Sequence, residues 1–301
     1  MAHDVEEIGA KMNALDLWPS LVGFNWAVKP LGTVFPYFCT TLVGDRRPVK
    51  VRFLMLEGWQ TLHDFVRMHG DRDFGVSTSP IEFPHLELVV LESGEMKLFR
   101  HDTGFMPVEA SAVQRQLAAR ILWEAYGVML RIESDPKLPL KYLNETAVFA
   151  RIERTPDGWE DAPLAIPPPP PYVEKVRFEK KDIQCAKDLP FGADDVLHVD
   201  FRLMPHMMTR DSPRPRCVYQ LIGVDAASKK PVIDMTTSVR PEIGLKGMWE
   251  AMPAQLLKAI IARGKVPGEL RVRSGRVFRL LRPLCLELPF KLSMHDKLEG
   301  L

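Results

Sequence analysis

Val196-Leu197-His198-Val199-Asp200-Phe201-Arg202-Leu203-Met204 alternates between apolar and polar side chains. Val199, Phe201 and Leu203 fall on one side of an extended chain, and His198, Asp200 and Arg202 on the other. This period of two marks a strand with one buried face. Two further β-rich runs, 217–224 and 231–239, pair across the small and polar residues 225–230. A helical pattern follows over 245–263. Leu256, Leu257, Ile260 and Ile261 form its buried side, Pro253 starts or kinks it, and Gly264 ends it. A strand at 269–273, a helix at 277–286 and a strand at 290–294 complete the series, and the polar stretch 175–187 ahead of it reads as helix.

The resulting order is β-β-β-α-β-α-β. Its first three strands make an antiparallel meander, and its last two are reached through helices, which implies parallel crossovers. In topology this resembles the ribonuclease H and integrase architecture. Two-metal phosphoryl transfer on such a frame needs carboxylates converging on ions ~4 Å apart. Asp200 on the first strand and Glu250 near the first crossover helix are candidate vestigial carboxylates. The fourth strand, however, ends in Arg271-Val272-Arg273-Ser274-Gly275-Arg276, where an acid is required and cations would repel Mg²⁺. The frame therefore reads as one without a complete metal site and with no catalytic residue.

The chain has 301 residues, enough for two domains each with its own core. Pro167 to Pro171 are five consecutive prolines, which favour polyproline II and serve as a semi-rigid spacer. The expected organisation is an N-terminal α/β domain with α+β character over 1–160, a Pro-rich linker over 161–174, and a ribonuclease H-like domain over 175–301. In the N-terminal half, the runs 33–43 and 49–56 form a hairpin around residues 44–48, and Trp59, Leu62, Phe65 and Val66 recur at helical spacing up to Gly70. Residues 74–76 read as a short strand. Residues 86–91 and 96–99 read as strands turned by Glu92-Ser93-Gly94. Ser111 caps a helix with Val113, Leu117, Ile121 and Ala125 in one row, and 147–152 is a final strand.

Composition narrows the function classes. Lys+Arg 40 against Asp+Glu 39 leaves a net charge of +1, too little to attract nucleic acid or anionic membrane by itself. Cys39, Cys185, Cys217 and Cys285 are scattered, without the paired spacing of a thiolate zinc site, and read as buried thiols of a reducing compartment. The acidic start lacks a signal-peptide pattern, and no apolar run approaches the ~20 residues that span a bilayer. A cytoplasmic protein without cofactor or membrane partner is expected.

Four segments resemble an uncharacterised bacterial two-domain family: VLHVDFRLMP (196–205), CVYQLIGVDAASKKPVIDMTTS (217–238), LLKAIIARGKVPGELRVRS (256–274) and LLRPLCLELPFKLSMHDKLEGL (280–301). The shared pattern is a Val-Asp strand, a hairpin with Asp at its turn and a closing Lys-Leu. PYFCTTLVGDRRPVKVRFLMLEGWQTLHDFVRM (36–68) resembles the N-terminal domain that precedes it. The resemblance implies two domains of unknown function and assigns no substrate or cofactor.

Three constellations remain. His198, Asp200 and His206 offer metal-ligand types, but a half-exposed polar sheet face is the better account of them, and His63 and His69 lack the i, i+4 spacing of paired ligands. No metal site is expected. Arg271, Arg273, Arg276, Arg279 and Arg282 are candidate phosphate or nucleic-acid contacts, the last three along one side of a helix. Trp18 and Trp26, in a loop-like segment, are candidate interface residues for a protein partner or a homo-oligomer. The expectation is a non-catalytic binding or assembly protein. Its alternatives are anion binding through the arginines and a degenerate metal-dependent phosphoesterase.

Overall fold

A computed structural model describes residues 4–16, 18, 26–44, 47–70, 83–138, 141, 146–156, 158–171, 173–209, 214–240 and 242–300. The chain divides into two units. One comprises Met1–Phe65, Phe83–Asp102 and Pro107–Pro170, the other Val66–Glu82, Thr103–Met106 and Pro171–Leu301. Among the described residues there are six helices and two mixed sheets, an α+β architecture. No described helix is long and apolar enough to cross a membrane.

The first unit runs α1 (Val5–Ala14), β1 (Trp26–Lys29), β2 (Tyr37–Val43), β3 (Val49–Glu57), α2 (Gly58–Gly70, in this unit as far as Phe65), β4 (His85–Leu91), β5 (Met96–His101), β6 (Val108–Glu109), α3 (Ala112–Ser134), β7 (Ala147–Thr155) and β8 (Gly158–Ala165). Its strands form one sheet in the order β6-β5-β4-β3-β2-β1-β7-β8, antiparallel except where β1 runs parallel to β7. Ser111 starts α3 with a capping box. Its hydroxyl accepts from the Gln114 N–H while the Gln114 side chain accepts from the Ser111 N–H. Ile121, Leu122, Ala125 and Met129 of α3 then pack, with Ile8 and Met12 of α1, on Cys39, Phe53, Met55 and Leu88 of the sheet. Each of the Ile, Leu, Met and Phe side chains among them contributes ~1.5–3 kcal/mol by leaving water. Val113 is exposed, a turn before that buried row. Alternate residues Phe38, Leu54 and Leu56 are buried on the opposite side, where Trp59 of α2 meets Phe38 at 4.9 Å.

The second unit contains α4 (Lys180–Lys187), β9 (Phe191–Met208), β10 (Cys217–Asp225), β11 (Pro231–Ser238), α5 (Gly244–Arg263), β12 (Val266–Val272), α6 (Gly275–Cys285) and β13 (Lys291–Met294). The strand order is β11-β10-β9-β12-β13. β9, β10 and β11 are antiparallel; β12 is parallel to both β9 and β13. Val199, Phe201 and Leu203 of β9 join Leu270 and Val272 of β12 under the apolar sides of α5 and α6. α5 runs through Pro253 without interruption and stops at Gly264, whose φ of 74° suits a residue lacking Cβ.

Several boundaries differ from the sequence expectation. β1 and β8 were not anticipated. β8 occupies residues 158–165, so the expected linker start at 161 lies inside a strand. It carries Pro163 opposite Phe149, which is tolerated because β8 is the sheet edge. The strand expected at 74–76 lies outside the described residues. Cys185 is exposed on α4 rather than buried, and Cys285 is half-buried.

Candidate functional site

The alternation in β9 divides its sheet into an apolar side and a charged side. Phe201 stands edge-on to Trp249 of α5 at 4.8 Å, which fixes the helices on its side. Asp200, one residue earlier, therefore faces away from α5. On that charged side several of the described polar groups meet one another. Arg202 donates to Gln220 Oε1 at 3.2 and 3.1 Å, and Gln220 Nε2 donates to Asp234 at 2.7 Å. Arg271 donates to Glu269 at 2.9 Å, and Ser293 Oγ donates to the same carboxylate at 2.6 Å. These contacts, that with Arg271 foremost, hold the Glu269 carboxyl down at about 2. Asp200 accepts from the Phe201 N–H at 3.0 Å and from the Arg273 guanidinium at 2.5 Å.

This arrangement corrects the vestigial metal site. Glu250 lies on α5, across the sheet from Asp200, and accepts from the Lys175 N–H at 2.8 Å. The two carboxylates do not converge; Glu250 fastens the segment entering the second unit. Arg276 shares that task. It donates to Glu174 at 2.8 Å and stacks over the Trp249 ring at 4.0 Å, with both charged side chains buried. It is thus not part of a solvated arginine row. Of the five candidate arginines, Arg271, Arg273 and Arg276 pair with Glu269, Asp200 and Glu174; Arg279 and Arg282 lie exposed on α6, Arg279 with a contact of its own. His198 is buried with Nδ1 2.9 Å from the Glu299 carbonyl, so it secures the C-terminal segment, and the His206 side chain lies outside the described residues.

The aromatic interface is also corrected. Trp18 and Trp26 are both fully buried, Trp18 at 6.0 Å from Phe53 and Trp26 at 6.4 Å from Phe149. Trp26 sits in β1 between β2 and β7, so it is core rather than surface.

A different cluster emerges in the first unit. β4 and β5 pair so that His85 stands opposite His101, their rings stacked at 4.2 Å, while Glu87 is one alternate position along β4. All three are buried, and one ligand-type atom from each lies within 4.8 Å of the others. Glu87 Oε2 is 2.6 Å from His101 Nε2, and its other oxygen meets Arg52. Burial alone would raise the Glu87 carboxyl, but the His101 contact and the Arg52 charge outweigh it and hold it at about 2. Burial, with His101 next, pushes the His85 imidazole down to about 3. Beside the cluster is a cleft of about 360 Å³ lined by Tyr37, Glu57, His85, Arg100 and His101. Burial and Glu57 push the Tyr37 phenol up to about 12.

Sequence reasoning overlooked this cluster, although its signal was present. The hairpin centred on Ser93 pairs positions that sum to 186, which brings His85 opposite His101, and Glu87 shares the His85 side by period two.

No curated protein and no solved structure matches the chain. Residues 182–301, all within the second unit, match the family described as a domain of unknown function, DUF6930.

Proposed function

We propose that the protein acts by binding or assembly rather than by catalysis, through a second unit that is ribonuclease H-like in strand order but lacks a working metal cleft. The observation that carries this reading is the Asp200–Arg273 pair at 2.5 Å. A guanidinium fills the place where a first-strand carboxylate would receive a divalent ion, and it neutralises the charge that would attract one. The strand order β11-β10-β9-β12-β13 supports the ribonuclease H-like frame. The charged side of that sheet, with its Arg202–Gln220–Asp234 chain, supplies directional groups suited to a protein partner or a second copy.

The test is hydrolysis of single-stranded DNA, RNA and a chromogenic phosphodiester by the full chain with Mg²⁺ or Mn²⁺. The expected result is no turnover, with Asp200→Asn indistinguishable from the parent. Metal-dependent turnover that Asp200→Asn abolishes overturns the reading. Anion binding is a second reading, supported by the exposure of Arg279 and Arg282. It predicts salt-sensitive retention on nucleic acid that the Arg279→Ala, Arg282→Ala double variant loses; retention unchanged by that variant rejects it.

A further inference from the structure

We infer that His85, Glu87 and His101 form a binding site for a divalent transition-metal ion of the Zn²⁺ type. Two imidazoles and one carboxylate are the donor set that favours Zn²⁺ over the oxygen-seeking Mg²⁺ and Ca²⁺.

The decisive observation is the disposition of His85. Its Nδ1 lies 2.9 Å from the Phe83 carbonyl, which can only accept, so Nδ1 carries the proton and Nε2 the lone pair. That Nε2 is buried and has no hydrogen-bond partner. A buried acceptor without a donor is destabilising, and a bound ion would offset that. Metal-bound histidines are held in the same way, the ring nitrogen away from the ion donating to a backbone carbonyl. Glu87 has a matching outer partner, since Arg52 occupies one oxygen and leaves the other toward His101.

Binding an ion requires the rings to turn: His85 and His101 are stacked with their planes 12° apart, and the three ligand atoms lie within 4.8 Å of one another. Glu87 Oε2 and His101 Nε2 are 2.6 Å apart. Ligands ~2.0–2.1 Å from a tetrahedral ion stand ~3.3 Å from one another, so the pair has to open by less than ~1 Å. The strand backbones fix the three Cα positions, leaving side-chain rotation to supply that movement. His85 and His101 also line the cleft of about 360 Å³ described above. Phe83 and Phe65, 5.9 Å apart, close the cluster on another side and keep its dielectric low.

The full chain, stripped with chelator, is dialysed against Zn²⁺ and its metal content measured. One equivalent is expected. Affinity is expected to fall by roughly 100-fold in His85→Gln and in His101→Gln and to be unchanged in Cys185→Ser, which removes the exposed thiol. A folded parent that takes up no Zn²⁺, or one whose Zn²⁺ survives both histidine substitutions, overturns the assignment. If those variants do not fold, the Co²⁺ complex of the parent decides. Intense visible bands without a sulfur-to-cobalt charge-transfer band support the site; a thiolate band or a weak octahedral spectrum overturns it. The outcome is independent of the proposed role of Asp200 and Arg273, which lie in the other unit.

Discussion

Arg276 shows how misleading a cation can be when its helix is read in isolation. At i, i+3 spacing with Arg279 and Arg282 it looks like part of a solvated row. In the fold it is buried between Glu174 and the Trp249 ring. Arg276→Ala removes both the buried ion pair and the stacking contact and is expected to destabilise the protein by about 3 kcal/mol, measured by urea unfolding. Arg276→Lys should recover only part of that loss, because an ammonium cannot stack as a planar guanidinium does. Glu269 gives a second prediction. Its folded carboxyl titrates at about 2, below the ordinary 4.5. Its contribution is therefore fully present above the ordinary value and disappears as pH falls from about 4.5 toward 2. Glu269→Gln should show a shallower decline in urea midpoint between pH 5 and pH 3 than the parent; an identical decline would remove Glu269 from the acid limb. The alternation that sets Asp200 against Phe201 was legible in sequence because it is local. The identity of its partner, Arg273, was not, since that depends on where β12 comes to lie along β9.

Among the elements, those with strong local signals were readable: the Ser111 cap of α3, the β4–β5 hairpin, the Gly264 stop of α5. Gly264 has a left-handed φ of 74°, and a methyl group there would have no neighbouring atom within 4 Å. Gly264→Ala should thus cost only the backbone term, about 1 kcal/mol, and Gly264→Asn less, as read from thermal unfolding. A larger loss for Ala would mean that packing contributes. β1 escaped notice for the opposite reason. Four residues, Trp26–Lys29, carry no alternation, because a central strand covered on both sides has none to show. Its parallel partner β7 lies some 120 residues away in sequence, as the Ala27–Ala150 pairing shows. The same distance effect hid the tryptophans: Trp26 looks like a loop aromatic until β2 and β7 are placed on either side of it.

For the molecule as a whole, composition and the proline run point to two bodies and a junction, and one division between the two units falls at Pro170–Pro171. The limits of the junction were harder to read. Against the linker expected over 161–174, β8 extends through Pro163 to Ala165, and beyond the junction Glu174 and Lys175 are already fastened to Arg276 and Glu250. The proline in β8 also bears on how copies of the chain can meet. The eight-stranded sheet ends on one border in β6, two residues long, and on the other in β8, where Pro163 lacks the N–H that a ladder requires. Neither border offers a long template for another chain to extend, which guards this unit against runaway polymerisation through its backbone. Any self-association it undergoes has to be built from side-chain complementarity, which is finite and selectable.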